Sequence, residues 1–127
     1  YNKLFLKNLI KTLKKKKLRI NLFIEPSLKD IKEAKKLNAD CVEIHTGKLC
    51  NLINQRKNYK YEIKKIEKVV KMGIEVHAGH GLDYKTTRLL SKFKQIKEFN
   101  IGHFLIGESI KAGIFNVIKN FKEIIKK

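Results

Sequence analysis

The chain has 127 residues, 43% of them apolar, which suits one packed domain. It holds no run of about 18 apolar residues, and its lysine-rich start lacks the apolar block of a signal peptide, so neither a membrane span nor a secretory leader is expected. Thirty basic residues against 12 acidic ones give a formal charge of +18, but only Arg19, Arg56 and Arg88 are arginines. Phosphate and base readout favours arginine, so the lysines read as a solvated surface with some attraction for small phosphorylated compounds, not as a nucleic-acid face.

In chain order, Leu4, Phe5, Leu6, Leu9, Ile10 and Leu13 stand at helical spacing, and Lys14 to Lys17 suit a helix C-terminus. Leu18 to Ile24 is short and rich in β-formers, and Glu25-Pro26-Ser27 stops it, which predicts a strand. Ser27 with Asp30 resembles a capping box ahead of a stripe of Leu28, Ile31, Ala34 and Leu37. Cys41 to His45 is a second strand and Thr46-Gly47 a turn. Ile63, Ile66, Val69 and Val70 then mark a helix face closed by Gly73. Ile74 to Ala78 is a third strand, and Asp83 a helix N-cap before Leu89, Leu90 and Phe93. Phe99 to His103 reads as the last strand, followed by a short helix, a break at Gly113 and an amphipathic helix over 114–125. Cys41 and Cys50 form neither a disulfide framework nor a CxxC pair and read as reduced thiols.

Strands alternating with helices predict an α/β protein with a parallel sheet and right-handed crossovers. Four such units are half of a TIM (β/α)8 barrel. Alone they would leave two strand edges unpaired and helices over one face, so a complement is expected. Residues 1–127 then read as the C-terminal half of a longer polypeptide, the first residue being Tyr1 and not methionine, or as one of two pairing chains. A flavodoxin-like domain is the structural alternative.

All four histidines, His45, His77, His80 and His103, fall at or just beyond predicted strand ends, where α/β folds keep their ligand crevice. Period-two alternation puts Glu43 and His45 on one face of their strand and Val42 and Ile44 on the other. A carboxylate beside an imidazole can serve as an acid/base pair or as an orienting network. In His77-Ala78-Gly79-His80-Gly81-Leu82 the glycines let the backbone turn sharply around His80, the leading catalytic candidate. His77, within the strand, reads as structural. Asn100-Ile101-Gly102-His103 before a short helix matches a barrel phosphate site at a helix N-terminus. No HxH with a following carboxylate suggests a metal.

Taken together, Ile20-Asn21-Leu22-Phe23-Ile24-Glu25-Pro26, Val42-Glu43-Ile44-His45-Thr46-Gly47, the His77 to Leu82 string and Asn100-Ile101-Gly102-His103 resemble the C-terminal half of the pyridoxine 5′-phosphate synthase family. The likeness is in order and approximate spacing, and covers nearly the whole chain. The family string has asparagine where His77 stands.

The resemblance implies a TIM barrel of which this chain is strands five to eight with their helices. Its reaction condenses 1-deoxy-D-xylulose 5-phosphate with 3-amino-2-oxopropyl phosphate to pyridoxine 5′-phosphate, inorganic phosphate and water. By position, His80 is similar to the family's proton donor and Glu43 to its transition-state-stabilising carboxylate. Gly81, Gly102 and His103 are similar to contacts with the aminoketone phosphate. The resemblance implies no metal or organic cofactor, and a cytoplasmic homo-octamer without nucleic-acid or membrane partners. The family's histidine–arginine motif, its glutamate base and its deoxyxylulose phosphate contacts belong to the first four strands, so the chain alone is expected to be inactive. Two other classes stay open: a phosphate-ligand-binding half-barrel without catalysis, and a basic nucleic-acid-binding domain.

Overall fold

Short runs in which apolar side chains alternate with polar ones make two-faced strands, and the amphipathic segments between them cover the apolar face. The computed structural model describes residues 2–126 and has this arrangement. Helix α1 (Lys3–Lys15) precedes β1 (Asn21–Ile24), α2 (Leu28–Lys36), β2 (Cys41–His45), α3 (Gly47–Asn54) and α4 (Lys60–Val69). Then follow β3 (Glu75–Gly79), α5 (Tyr84–Leu90), β4 (Ile96–Asn100), α6 (His103–Ala112) and α7 (Ile114–Ile125). The strands lie in the order β1-β2-β3-β4, and every pair is parallel. This is the wall of a (β/α)-barrel over four consecutive units.

The two faces differ sharply. Val42 and Ile44 of β2 and Val76 and Ala78 of β3 are wholly buried and pack with Ile31, Leu49, Ile66 and Leu90 of the helices. The opposite face carries Phe23, Glu43, His77 and Glu98 in one cross-strand row and His45, Gly79 and Asn100 in the next. Phe23 is 56% exposed there, so among the described residues no helix covers that face. The expected one-sided sheet is present, with β1 and β4 as its edges.

Local chemistry explains the starts of α2 and α5. The Ser27 hydroxyl accepts from the Asp30 N–H at 3.1 Å and the Asp83 carboxylate from the Thr86 N–H at 2.7 Å, as their caps predict. Several boundaries differ from the sequence reading: β3 runs Glu75–Gly79 in place of Ile74–Ala78, β4 starts at Ile96 in place of Phe99, and α5 stops at Leu90, short of Phe93. Strand β1 begins at Asn21, not Leu18, because residues 18–20 lead into the sheet and only Asn21 onward pairs with β2. Gly47 opens a helix instead of completing a turn, since the Thr46 carbonyl accepts from the Cys50 N–H and Leu49, Cys50 and Ile53 bury one face of α3. Strand β4 ends at Asn100, because Gly79, its partner, ends β3. Gly102 then caps α6 and His103 starts it.

Helices α3 and α4 are tied by a nearly buried charge. Glu62 of α4 is 3% exposed and accepts from Lys48 of α3 at 2.8 Å and Lys65 at 3.0 Å. Burial pushes its carboxyl up, but the two ammonium groups outweigh burial and hold it below its ordinary 4.5. A depressed folded-state value means the contribution to stability is complete above about 4.5 and is lost as the pH falls through the lower, folded value. Glu62→Gln should therefore lower the urea midpoint at pH 7, and the gap from the parent should close on acidification below pH 4.5. A gap constant down to pH 3 would contradict this account.

Candidate active-site cleft

The cleft lies at the carboxyl ends of the strands, on the open face, and measures roughly 870 Å³. Its lining includes Glu43, His80, Gly81, Asn100, Gly102 and His103, so all five site residues expected from the sequence meet in one place.

Glu43 is aimed by two neighbours. Its carboxylate crosses over β3 and accepts from the Asn100 side-chain amide of β4 at 2.6 Å. The crossing needs Gly79: a Cβ there would lie 1.8 Å from Glu43 Oε1 and 2.7 Å from Cδ. A charged group on the barrel-facing side of a sheet is costly unless bonded, and Asn100 supplies that bond.

His80 directly follows β3, with φ of 72°, in the left-handed region that non-glycine residues seldom occupy. Its backbone is clamped there. The Thr46 N–H donates to the Gly79 carbonyl at 2.8 Å, and the Thr46 hydroxyl to the His80 carbonyl at 2.7 Å. The Cys50 thiol lies 3.8 Å from the same carbonyl, and burial pushes that thiol up, away from reactivity. Gly81 follows at φ of 77°, and a Cβ on it would press Cys50 Cβ at 3.3 Å and the Gly47 backbone at 3.4 Å. The clamp leaves the exposed imidazole facing the cleft. Both cysteines are free, as expected, and both are buried.

On the far side of the cleft, Gly102 is the N-cap of α6, whose first intrahelical bond is from the Ile106 N–H to the Gly102 carbonyl. The N–H groups of residues 103–105 precede that bond and point out of the helix end, where an anion is favoured. A Cβ on Gly102 would meet nothing within 4 Å, so packing within the chain does not demand glycine there. Tyr84, Phe104 and Phe121 brace this end of α6, with ring centroids 5.0 Å and 4.6 Å from Tyr84.

Of the other two histidines, His45 departs from the sequence reading and His77 keeps to it. His45 was read as the acid/base or orienting partner of Glu43. Instead its ring stacks on His80 with centroids 4.4 Å apart and planes 25° apart, and Nδ1 lies 3.6 Å from Glu25 Oε1. His77 sits within β3, not at its end, and is 3% exposed. Its Nε2 lies 2.8 Å from Glu75 Oε1, and its Nδ1 is 3.2 Å from the Asn21 amide. Hydrogen bonding to His77, then to Arg19, holds the Glu75 carboxyl below its ordinary value. That network ties β1 to β3 below the cleft, in line with a structural role. Asn100 and Asn54 also line the cleft, and the sequence reading gave neither a task. Asn100 stood only at the head of the Asn100-Ile101-Gly102-His103 string, and Asn54 ends the helix that reading lacked. Among the described residues no three His, Cys, Asp or Glu side chains cluster as metal ligands.

A parallel sheet covered on one side, with a carboxylate, imidazoles and a helix N-terminus around a cleft at the carboxyl ends of its strands, is the wall of an α/β barrel. A family model described as pyridoxal phosphate biosynthesis protein PdxJ matches residues 1–127, and the chain belongs to that family. It is 60% identical over 130 residues to a pyridoxine 5′-phosphate synthase of Pelagibacter ubique (strain HTCC1062), covering 99% of this chain and 54% of the relative. A synthase of the same name from Sulfurihydrogenibium sp. (strain YO3AOP1) is 38% identical over 125 residues, covering 95% and 51%. One from Zymomonas mobilis subsp. mobilis is 42% identical over 112 residues, covering 85% and 43%. The chain thus spans about half the length of these relatives. No helix among the described residues is long and apolar enough to cross a membrane.

Proposed function

We propose that the chain forms the C-terminal four βα units of a pyridoxine 5′-phosphate synthase, a cytoplasmic homo-octamer in its whole form. In this reading it condenses 1-deoxy-D-xylulose 5-phosphate with 3-amino-2-oxopropyl phosphate, releasing inorganic phosphate and water. The observation that carries the reading is the convergence of Glu43, His80, Gly81, Gly102 and His103 on one cleft.

Each residue has a task that suits its surroundings. The α6 N-terminus, with Gly102 leaving room and His103 donating, takes the aminoketone phosphate, and Gly81 lets the ligand approach the loop backbone closely. Condensation and ring closure require loss of oxygen as water, and an imidazolium can protonate a departing hydroxyl. His80, held facing the cleft, gives that proton. The Glu43 carboxylate, fixed by Asn100, stabilises positive charge developing on the substrate nitrogen and its neighbouring carbon. The lysine-rich exterior raises the local concentration of the two phosphorylated substrates. No step assigned to these residues uses a metal or organic cofactor.

The open edges and exposed apolar side chains are consistent with a second set of four units. Leu4 and Phe5 of α1 are 68% and 65% exposed, and Ile110 and Phe115 beside the α6–α7 junction 85% and 79%. The test compares the 127-residue chain with a polypeptide of the relatives' full length. Pyridoxine 5′-phosphate should form only with the longer one. Turnover by the short chain alone would overturn the half-site reading. Phosphate-ligand binding without turnover by the longer polypeptide would leave a binding protein and remove the synthase.

A further inference from the structure

We infer that His45 is a positioning residue for His80: its ring is the surface against which the proton-donating imidazole is held in its working orientation. The inference rests on the synthase reading, in which His80 transfers a proton. Three observations carry it.

The rings lie face to face at 4.4 Å and 25°, one at the end of β2 and one in the loop after β3, so the contact is tertiary and not a consequence of sequence proximity. Stacking at that distance fixes the tilt of the His80 ring, which would otherwise rotate freely on an exposed loop. Secondly, the pair occupies a space kept open for it. A Cβ on Gly47 would stand 2.6 Å from His80 Cδ2 and 2.8 Å from His45 Cε1, so any side chain there would drive both rings away. Thirdly, His45 is itself fixed from two sides. Phe23 meets its ring edge-on at 5.3 Å and 69°, and Glu25 Oε1 lies 3.6 Å from Nδ1. The order of support runs from β1 through His45 at the end of β2 to the loop after β3. His45 does not line the cleft, which separates its role from that of His80.

The stack has a chemical consequence. The His80 ring keeps one orientation against His45, which Phe23 and Glu25 hold in turn. The oriented imidazolium is then presented to the substrate without a rotational search before each transfer.

The experiment uses the full-length polypeptide and measures steady-state pyridoxine 5′-phosphate formation. His45→Ala should lower kcat by about 10- to 100-fold, the range expected for a misplaced catalytic group, while KM for both substrates moves less than about threefold. His45→Phe keeps the ring face and should recover most of that loss. Gly47→Ala should reproduce the His45→Ala defect with both imidazoles present. Parent-like kcat in His45→Ala, or a His45→Phe protein with parent melting temperature but no recovery, overturns the inference. His80→Ala, assayed alongside, separates the two levels. Full activity there overturns the proton-donor role and the inference with it. Loss in His80→Ala with parent activity in His45→Ala overturns the inference alone.

Discussion

His80→Ala in the full-length polypeptide is expected to lower kcat by about 10²- to 10⁴-fold, the usual contribution of a positioned general acid. The fold should survive the change. His80 is exposed, and its left-handed φ of 72° is set by the Thr46 bonds to the Gly79 and His80 carbonyls, which an alanine at 80 would leave intact. His80→Gly sharpens the test. Glycine adopts positive φ without the roughly 1–2 kcal/mol that a Cβ incurs, so this variant should melt at or above the parent temperature and be equally inactive. A more stable protein without turnover would show that the strained backbone serves presentation of the imidazole and not the stability of the loop. Activity within threefold of the parent in either variant would remove His80 from proton transfer.

Gly79→Ala should be the second most damaging change, although it adds one methyl group. The new Cβ would fall 1.8 Å from Glu43 Oε1 and 2.7 Å from Cδ, so the carboxylate end of that side chain cannot keep its place. Glu43 must swing away, losing its bond to Asn100 and leaving a carboxylate without its partner. We expect kcat to fall at least about tenfold and unfolding free energy to drop by about 1–3 kcal/mol, the usual cost of overpacking and of an unpaired polar group. Gly102→Ala is the contrasting case. Its Cβ meets nothing within 4 Å and its φ of −115° is ordinary, so the melting temperature should not move. KM for 3-amino-2-oxopropyl phosphate should rise, because the methyl enters the space assigned to phosphate. Equal melting temperatures for Gly79→Ala and the parent, with parent kcat, would contradict the aiming of Glu43 across β3.

Local signals were legible in the sequence and cross-strand ones were not. Alternation in Val42-Glu43-Ile44-His45 set which side chains face the open side, and the Ser27 and Asp83 caps set two helix starts, because each depends on residues within a few positions. Helix α3 was hidden by Thr46-Gly47, a pair with the composition of a turn, and by an apolar stripe only two turns long. The register shift beside Val76/His77 could not be read either, since a bulge adds one residue to one strand without a composition signal. It leaves Glu98 opposite His77 and Asn100 opposite Gly79, within reach of Glu43. The His45–His80 stack has the same origin: the residues are adjacent only because β2 and β3 pair in parallel with His45 beside Gly79.

The unpaired outer edges of β1 and β4 bear on how the 127-residue chain behaves in solution by itself. A parallel sheet that ends in free N–H and C=O groups is a template for adding further strands, and exposed Phe23 on β1 offers an apolar foothold. Mutual repulsion among chains of formal charge +18 opposes that addition. Salt weakens the repulsion and leaves the edges unchanged, so the half-barrel should turn from dispersed to aggregating as ionic strength rises, with the lysine surface acting as its colloidal guard.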